Sequence, residues 1–178
     1  MEDTSRKNPT RAAFLRVTYM EAFAPPAKSP AGSGPERIAR ERLGRDAYLD
    51  LYSRVGEPLR WDQCLRMAAP ELDALLASSA CRIYVLRDAP GGAPIGLCEF
   101  DRAQFPEVEL KNFGLVPEAQ GRGLGPWLLA TALAGEWADR PRRIWLHTDD
   151  WDHPAAVRTY ERAGFVIFAV REEPAVPL

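Results

Sequence analysis

Metal ligands and disulfide partners are scarce in this chain. Its three cysteines, Cys64, Cys81 and Cys98, are odd in number and show neither CxxC nor metal-type spacing, so they are expected as buried thiols in a reducing compartment. With two histidines and no carboxylate cluster at ligand spacing, no metal site is expected. No apolar run approaches the length of a membrane span, and the opening "MEDTSRKNPT" has no apolar signal core; a cytoplasmic protein with no membrane partner is the expectation. Charge of one sign is not in excess either. The formal net charge is −2 and the pI about 5.8, so no overall positive field exists to hold nucleic acid, and any basic function is local.

What is present is ordinary globular material. Hydrophobic residues make up 46% and charged residues 27%, which excludes disorder for the bulk of the chain, and 178 residues suit one domain. A single domain over 11–173, with flexible tails at 1–10 and 174–178, is the expected organisation. Residues 11–23 read as a strand rich in β-branched and aromatic residues, and the Pro- and Gly-dense 24–36 as a mobile loop. From Arg37 to Val55 the line Leu43, Ala47, Leu51 and Val55 predicts an amphipathic helix with Gly44 as its weak point. A helical turn over 61–67 and a helix over 70–79, opened by Pro70, come next. Strands are expected over 81–88, 95–101, 107–116, 142–148 and 165–170. Two further helices fall between them. One carries Leu129, Leu133 and Trp137 on its apolar line; the other covers 154–163 and ends at the cap Gly164.

The unusual stretch is Gln120-Gly121-Arg122-Gly123-Leu124-Gly125, set between a strand end and a helix start. Unpaired N–H groups and the helix dipole converge there, glycines allow close backbone approach, and Arg122 adds a cation, so the turn is suited to an anion. A Walker loop is excluded because Gly-Lys-Ser/Thr is missing, and a dinucleotide fingerprint because position 126 is proline.

The spacing Gln120-x-x-Gly123-x-Gly125 after "VELKNFGLVPE" resembles the acyl-CoA pyrophosphate loop of the GNAT superfamily of N-acyltransferases. A second stretch, "HPAAVRTYERAGF" at 153–165, is similar to that superfamily's later motif at Ala156, Tyr160, Glu161, Gly164 and Phe165; His153 stands where asparagine is common. The resemblance implies an α/β (α+β) fold, a mixed and mostly antiparallel twisted sheet of six to seven strands flanked by about four helices. A splay is expected between the strands that end at Val116 and Thr148. It also implies acetyl-CoA as co-substrate, held by Leu115, Val116, Gln120, Gly121, Arg122, Gly123, Leu124, Gly125, His153 and Ala156.

Transfer from a thioester to an amine needs a neutral nitrogen, a stabilised oxyanion and a proton for the leaving thiolate. A lysine-like amine of pKa about 10 is neutral in only about one molecule in a thousand at pH 7, so a base helps. Glu109, 11 residues before Gln120 where the family often places a catalytic glutamate, is the expected base, with Glu99 on the preceding strand sharing or replacing it. Tyr160 is the expected acid. The oxyanion would be met by strand N–H groups around Leu115 and Val116. No cysteine or serine lies at a nucleophile position beside a histidine, so direct transfer in a ternary complex is expected. For the acceptor, Tyr52 and Trp61 with Trp151 offer an aromatic wall, and Asp149 attracts a cationic amine. The expectation is an N-acetyltransferase acting on a small-molecule or peptidyl primary amine, as a monomer or homodimer. The alternatives are a non-catalytic acyl-CoA sensor and a transferase for another short acyl-CoA.

Overall fold

A computed structural model describes residues 14–28 and 36–175. Strands β1 (Phe14–Ala22), β2 (Arg37–Glu41), β3 (Cys81–Arg87), β4 (Pro94–Asp101), β5 (Glu107–Leu115), β6 (Arg143–Thr148) and β7 (Val166–Pro174) form one sheet in the order β2-β3-β4-β5-β6-β1-β7. Every pairing is antiparallel except β5 with β6. The helices are α1 (Arg45–Gly56), the single turn α2 (Gln63–Arg66), α3 (Ala69–Ala77), α4 (Leu124–Trp137) and α5 (Ala156–Arg162). The fold is the mixed, mostly antiparallel α/β sheet that the sequence predicts, with five helices instead of about four. Gly164 ends α5 with φ +97°.

One expected element is wrong in its first half. Arg37–Glu41 is not helix but the edge strand β2, and α1 begins only after Gly44, whose backbone is extended. Charge explains the strand. The Arg87 guanidinium donates to both carboxylate oxygens of Glu41 at 2.9 and 2.7 Å across the β2–β3 pair, and charged residues suit an edge facing water. The buried line of α1 is also displaced from the expected one. Tyr48, Leu51, Tyr52 and Val55 are buried at i, i+3, i+4 and i+7, while Ala47 is exposed. β7 runs through Pro174, one residue into the expected tail; residues 1–10 and 176–178, and the 29–35 part of the expected loop, lie outside the described residues.

Helix α1 packs on β4 and β5, where Gly114 leaves room for it: a Cβ there would stand 2.5 Å from Val55 Cγ1. Helix α4 covers the opposite face with Leu128, Leu129, Ala132 and Leu133, all buried. In that same interface Glu136, 0% exposed, accepts from Tyr84 Oη and Arg102 Nη1 at 3.0 Å each, with Arg82 Nη1 at 3.4 Å. Asp139 takes the same two guanidiniums at 2.7 Å, so the buried charge is enclosed by partners from β3, the β4–β5 connection and the end of α4.

Removing one member of such a cluster strands the others. Glu136→Ala is therefore expected to destabilise by about 3 kcal/mol or more, a fall in Tm on the order of 6–12 °C. A thermal melt showing a loss below about 1 kcal/mol would mean that the cluster contributes no more than an exposed pair.

Candidate active site

The parallel strands β5 and β6 pair for only three steps, Glu107 with Arg143, Val108 with Ile144 and Glu109 with Trp145, and then part. β5 keeps its bonds to β4 on the other side. The Val116 N–H donates to Ile95 O at 3.0 Å, so by strand alternation the N–H groups of Gly114 and Val116 face β4, and those of Phe113 and Leu115 face the opening. This corrects the expectation for Val116: its N–H is already used and its side chain is fully buried. The open donors belong to its neighbours. Lower on β5, Glu99 faces Asn112 but Phe100 faces Leu110, which makes Lys111 the extra residue of a bulge. Bulges re-aim side chains, and this one turns Lys111 to the opening.

Above the splay, the chain turns into α4 through the glycine stretch. Gln120 Nε2 donates to Leu115 O at 3.2 Å, tying the loop to the end of β5. Gly121 and Gly123 have φ of +73° and +75°, and Gly123 caps α4 without a side-chain hydrogen bond. A Cβ at either would meet nothing, so the backbone angle and not space demands glycine. None of the N–H groups of residues 121–125 donates to another group among the described residues. Arg122 departs from expectation: its guanidinium pairs with the buried carboxylate of Glu36, and its side chain is not on the wall of the cavity below. The positive character that faces the cavity comes from the backbone and the helix end.

Splay and loop open into one cavity of about 500 Å3. Leu110, Phe113 and Leu115 line it from β5, Gly121, Gly123 and Gly125 from the loop, and Ala156, Thr159 and Tyr160 from α5. Tyr160 is buried with its ring against Phe113 (5.9 Å) and Phe165 (6.0 Å), and its hydroxyl makes no hydrogen bond with the described residues. Burial raises its pKa, so the phenol is a neutral proton donor. His153 lies at the rim and accepts from the Ala155 N–H through Nδ1 at 3.1 Å, ordering the start of α5.

At the far end stand Lys111, His147 and Asp149. Glu109 lies just behind them, off the wall, with Oε1 at 3.3 Å from Lys111 Nζ and 3.6 Å from His147 Nδ1. Burial pushes its carboxyl upward, but His147 and Lys111 outweigh it and hold the pKa below the usual glutamate range. Glu99 is elsewhere. Asp101, not Glu99, is opposite Glu109, and Glu99 is 4% exposed beside a separate hollow of about 50 Å3 shared with Cys64 and Cys81. It accepts from Tyr48 Oη at 2.7 Å and Asn112 Nδ2 at 3.0 Å, and burial raises its pKa. Glu99 and Glu109 are therefore not paired: the register sets Glu99 opposite Asn112 and Glu109 opposite Asp101, Glu99 borders the small hollow, and Glu109 lies off the walls of both.

The acceptor residues divide in the same way. Trp61 and Asp149 are on the wall, whereas Tyr52, 2% exposed, is stacked in the core between Tyr48 (5.6 Å) and Trp61 (5.4 Å). Trp151 lies off the wall under the Arg60 guanidinium at 4.9 Å. Burial raises the Asp149 carboxyl, and Asp149 Oδ1 accepts from the Trp151 N–H at 2.8 Å. Sequence reasoning missed Lys111, Phe113 and Thr159. The bulge that aims Lys111 follows from strand register, which leaves no mark in the local pattern.

A splayed parallel pair thus lies beneath a glycine turn whose backbone donors are open. The family model described as "Acetyltransferase (GNAT) family" matches residues 45–165, and the chain belongs to that family. It is similar to mycothiol acetyltransferases, at 35% identity over 129 residues to that of Cellulomonas flavigena (71% of this chain, 33% of that protein). To that of Mycobacterium avium it is 40% identical over 77 residues (39% of this chain, 24% of that protein). The chain thus spans a third or less of the length of these curated relatives. Among solved structures, a tandem GNAT protein from the clavulanic acid biosynthesis pathway superposes with a TM-score of 0.65 at 18% identity, over 93% of this chain and 56% of that one. A GCN5-related N-acetyltransferase from Sphaerobacter thermophilus gives 0.57 at 19%, over 93% and 54%. These structures share the fold.

Glu99 makes stability depend on pH. Its folded-state pKa lies above the ordinary 4.5, so its contribution is fully present below that value and is lost as pH rises through the raised one. Glu99→Gln keeps an acceptor for Tyr48 and Asn112 and removes the ionisation. Urea midpoints from about pH 4 to 8 should show wild type losing stability relative to the variant as pH rises. Parallel curves would refute the assignment.

Proposed function

We propose that the chain transfers an acetyl group from acetyl-CoA to a primary amine of a small molecule or peptide, directly within a ternary complex. The observation that carries this reading is the continuity of the cavity: four residues of the glycine turn with unpartnered N–H groups (Gly121, Gly123, Leu124 and Gly125), the open edge of β5 and Tyr160 all border one space. The loop suits the pyrophosphate. The apolar walls of Leu110, Phe113 and Leu115 suit the pantetheine arm, and the Phe113 and Leu115 N–H groups lie where they would stabilise the oxyanion. Tyr160 supplies the proton to the leaving thiolate. Glu109, ionised and backed by Lys111 and His147, is the sink for the proton of the amine. The relatives named mycothiol acetyltransferases support a small-molecule acceptor. Asp149 and Asp152 on the same wall favour one that carries positive charge.

Two measurements test the reading. At acetyl-CoA about a hundredfold above its dissociation constant, stabilisation of about 2.7 kcal/mol should raise Tm by about 5–10 °C, with ATP giving no comparable shift. Absence of a shift at saturating acetyl-CoA would end the proposal. Tyr160→Phe and Glu109→Gln should keep that shift while thiol release in an amine screen falls by about 10²-fold or more. A full shift with no thiol release by wild type would point to a non-catalytic acyl-CoA sensor instead, and variants that turn over like wild type would remove Tyr160 and Glu109 from the mechanism.

A further inference from the structure

The chain contains 23 cationic side chains, of which only Lys7, Lys28 and Lys111 are lysines and the other 20 are arginines. Arginine is not an acyl acceptor of the same kind: its guanidinium does not deprotonate near neutral pH, whereas a lysine amine does so when its surroundings allow. Lys28 is exposed on the segment after β1, and Lys7 lies outside the described residues. Among the described residues Lys111 is therefore the one lysine amine placed in the body of the fold, and it lines the cavity read above as the acetyl-CoA site. Three features put it in the position of an acceptor. It is the extra residue of the β5 bulge, which turns its four-carbon stem out of the strand pattern and into the splay. Its Nζ is 3.3 Å from Glu109 Oε1, the expected proton sink. It is two residues, about 7 Å along a strand, from Phe113, whose N–H faces the opening where an oxyanion would form.

We infer that Lys111 is a self-acetylation site, modified by the chain's own bound acetyl-CoA when no external amine fills the far end of the cavity. The inference rests on the donor reading given under Proposed function. Glu109 first takes one proton from the Lys111 ammonium and releases it to solvent; the Nζ lone pair so freed attacks the thioester carbonyl carbon, the N–C bond forms and the C–S bond breaks. The Nζ proton passes to Glu109, and Tyr160 protonates the thiolate; the products are N-acetyl-lysine and CoA thiol, with no change of oxidation state. Acetylation removes the cation from Glu109 and leaves a neutral amide at the end of the cavity where an external amine would enter.

The full chain is incubated with acetyl-CoA in the absence of added amine, and acetyl groups are located by peptide mass spectrometry, with a thermal-shift reading taken on the same sample. Lys28 is the internal control for uncatalysed reaction with exposed amines. The expected result is one acetyl group at Lys111, acquired at least about tenfold faster than at Lys28, slowed about a hundredfold in Glu109→Gln and absent in Lys111→Arg. Lys111→Arg keeps the charge beside Glu109 and is expected to keep the acetyl-CoA shift. A full thermal shift without modification at Lys111 overturns the inference and leaves the donor reading standing; Lys111 then serves only to hold Glu109. Modification of Lys111 at the rate of Lys28, or at an unchanged rate in Glu109→Gln, also overturns it. No shift and no modification overturns both.

Discussion

The pairing of β5 with β6 ends after Glu109 and Trp145, and the site depends on that ending. Had the two strands stayed paired in register, with β6 carried on to residues 149–151 opposite Phe113–Leu115, the Phe113 and Leu115 N–H groups would have been consumed by the ladder and no cavity would divide the sheet. The parting is sustained by what fills the gap on either side. Tyr160 packs against Phe113 from the α5 side and is backed by Phe165, while α1 presses Val55 onto the bare backbone of Gly114. The opening is thus held by packing at its base. It needs no ligand to exist.

Much of this was legible in the sequence. The βαβ unit, the glycine turn at its first crossover and the later Tyr160 helix are local patterns, and each sits where those patterns place it. The failures share a cause. The helix expected from Arg37 rested on a line that starts only at Leu43; Arg37–Glu41 is instead strand, paired along β3 and tied by Arg87, 46 residues away from Glu41. Tyr52 reads as an aromatic wall until the phase of α1 turns it inward between Tyr48 and Trp61. Glu99 and Glu109 look like a pair on adjacent strands, but the register sets Glu99 opposite Asn112 and Glu109 opposite Asp101. Non-local pairing decided all three, and a single sequence shows it only dimly.

Lys111 illustrates how much one register shift carries. Without the extra residue, strand alternation would continue unbroken from Leu110 through Leu115, and the side chain at 111 would have no reason to leave the strand's own pattern. With it, a cation enters a cavity whose wall also carries Asp149, Asp152 and Arg162. Glu109 then lies behind a lysine and a histidine instead of at the surface of the cavity, and its lowered pKa keeps it ionised at neutral pH. A proton leaving an amine there has a carboxylate to reach, by way of groups that already contact it.

The glycine turn works by a different balance. An N–H left dry and unpartnered costs about 1–3 kcal/mol, so five in succession could not be tolerated in a closed core. Residues 121–123 are exposed beside the open cavity, and a ligand there exchanges one hydrogen bond for another with a net gain of only about 0.5–1.5 kcal/mol each, or about 1.5–3 where the acceptor is charged. Discrimination for an anion therefore comes from its charge meeting a helix end, not from the number of bonds. Arg122 adds less to that field than its place in the sequence suggests, because Glu36 neutralises it at close range. The geometry of Gly121 and Gly123 supplies what the side chain withholds, since it is their left-handed backbone that turns the donors of the loop toward the same space as Phe113 and Tyr160.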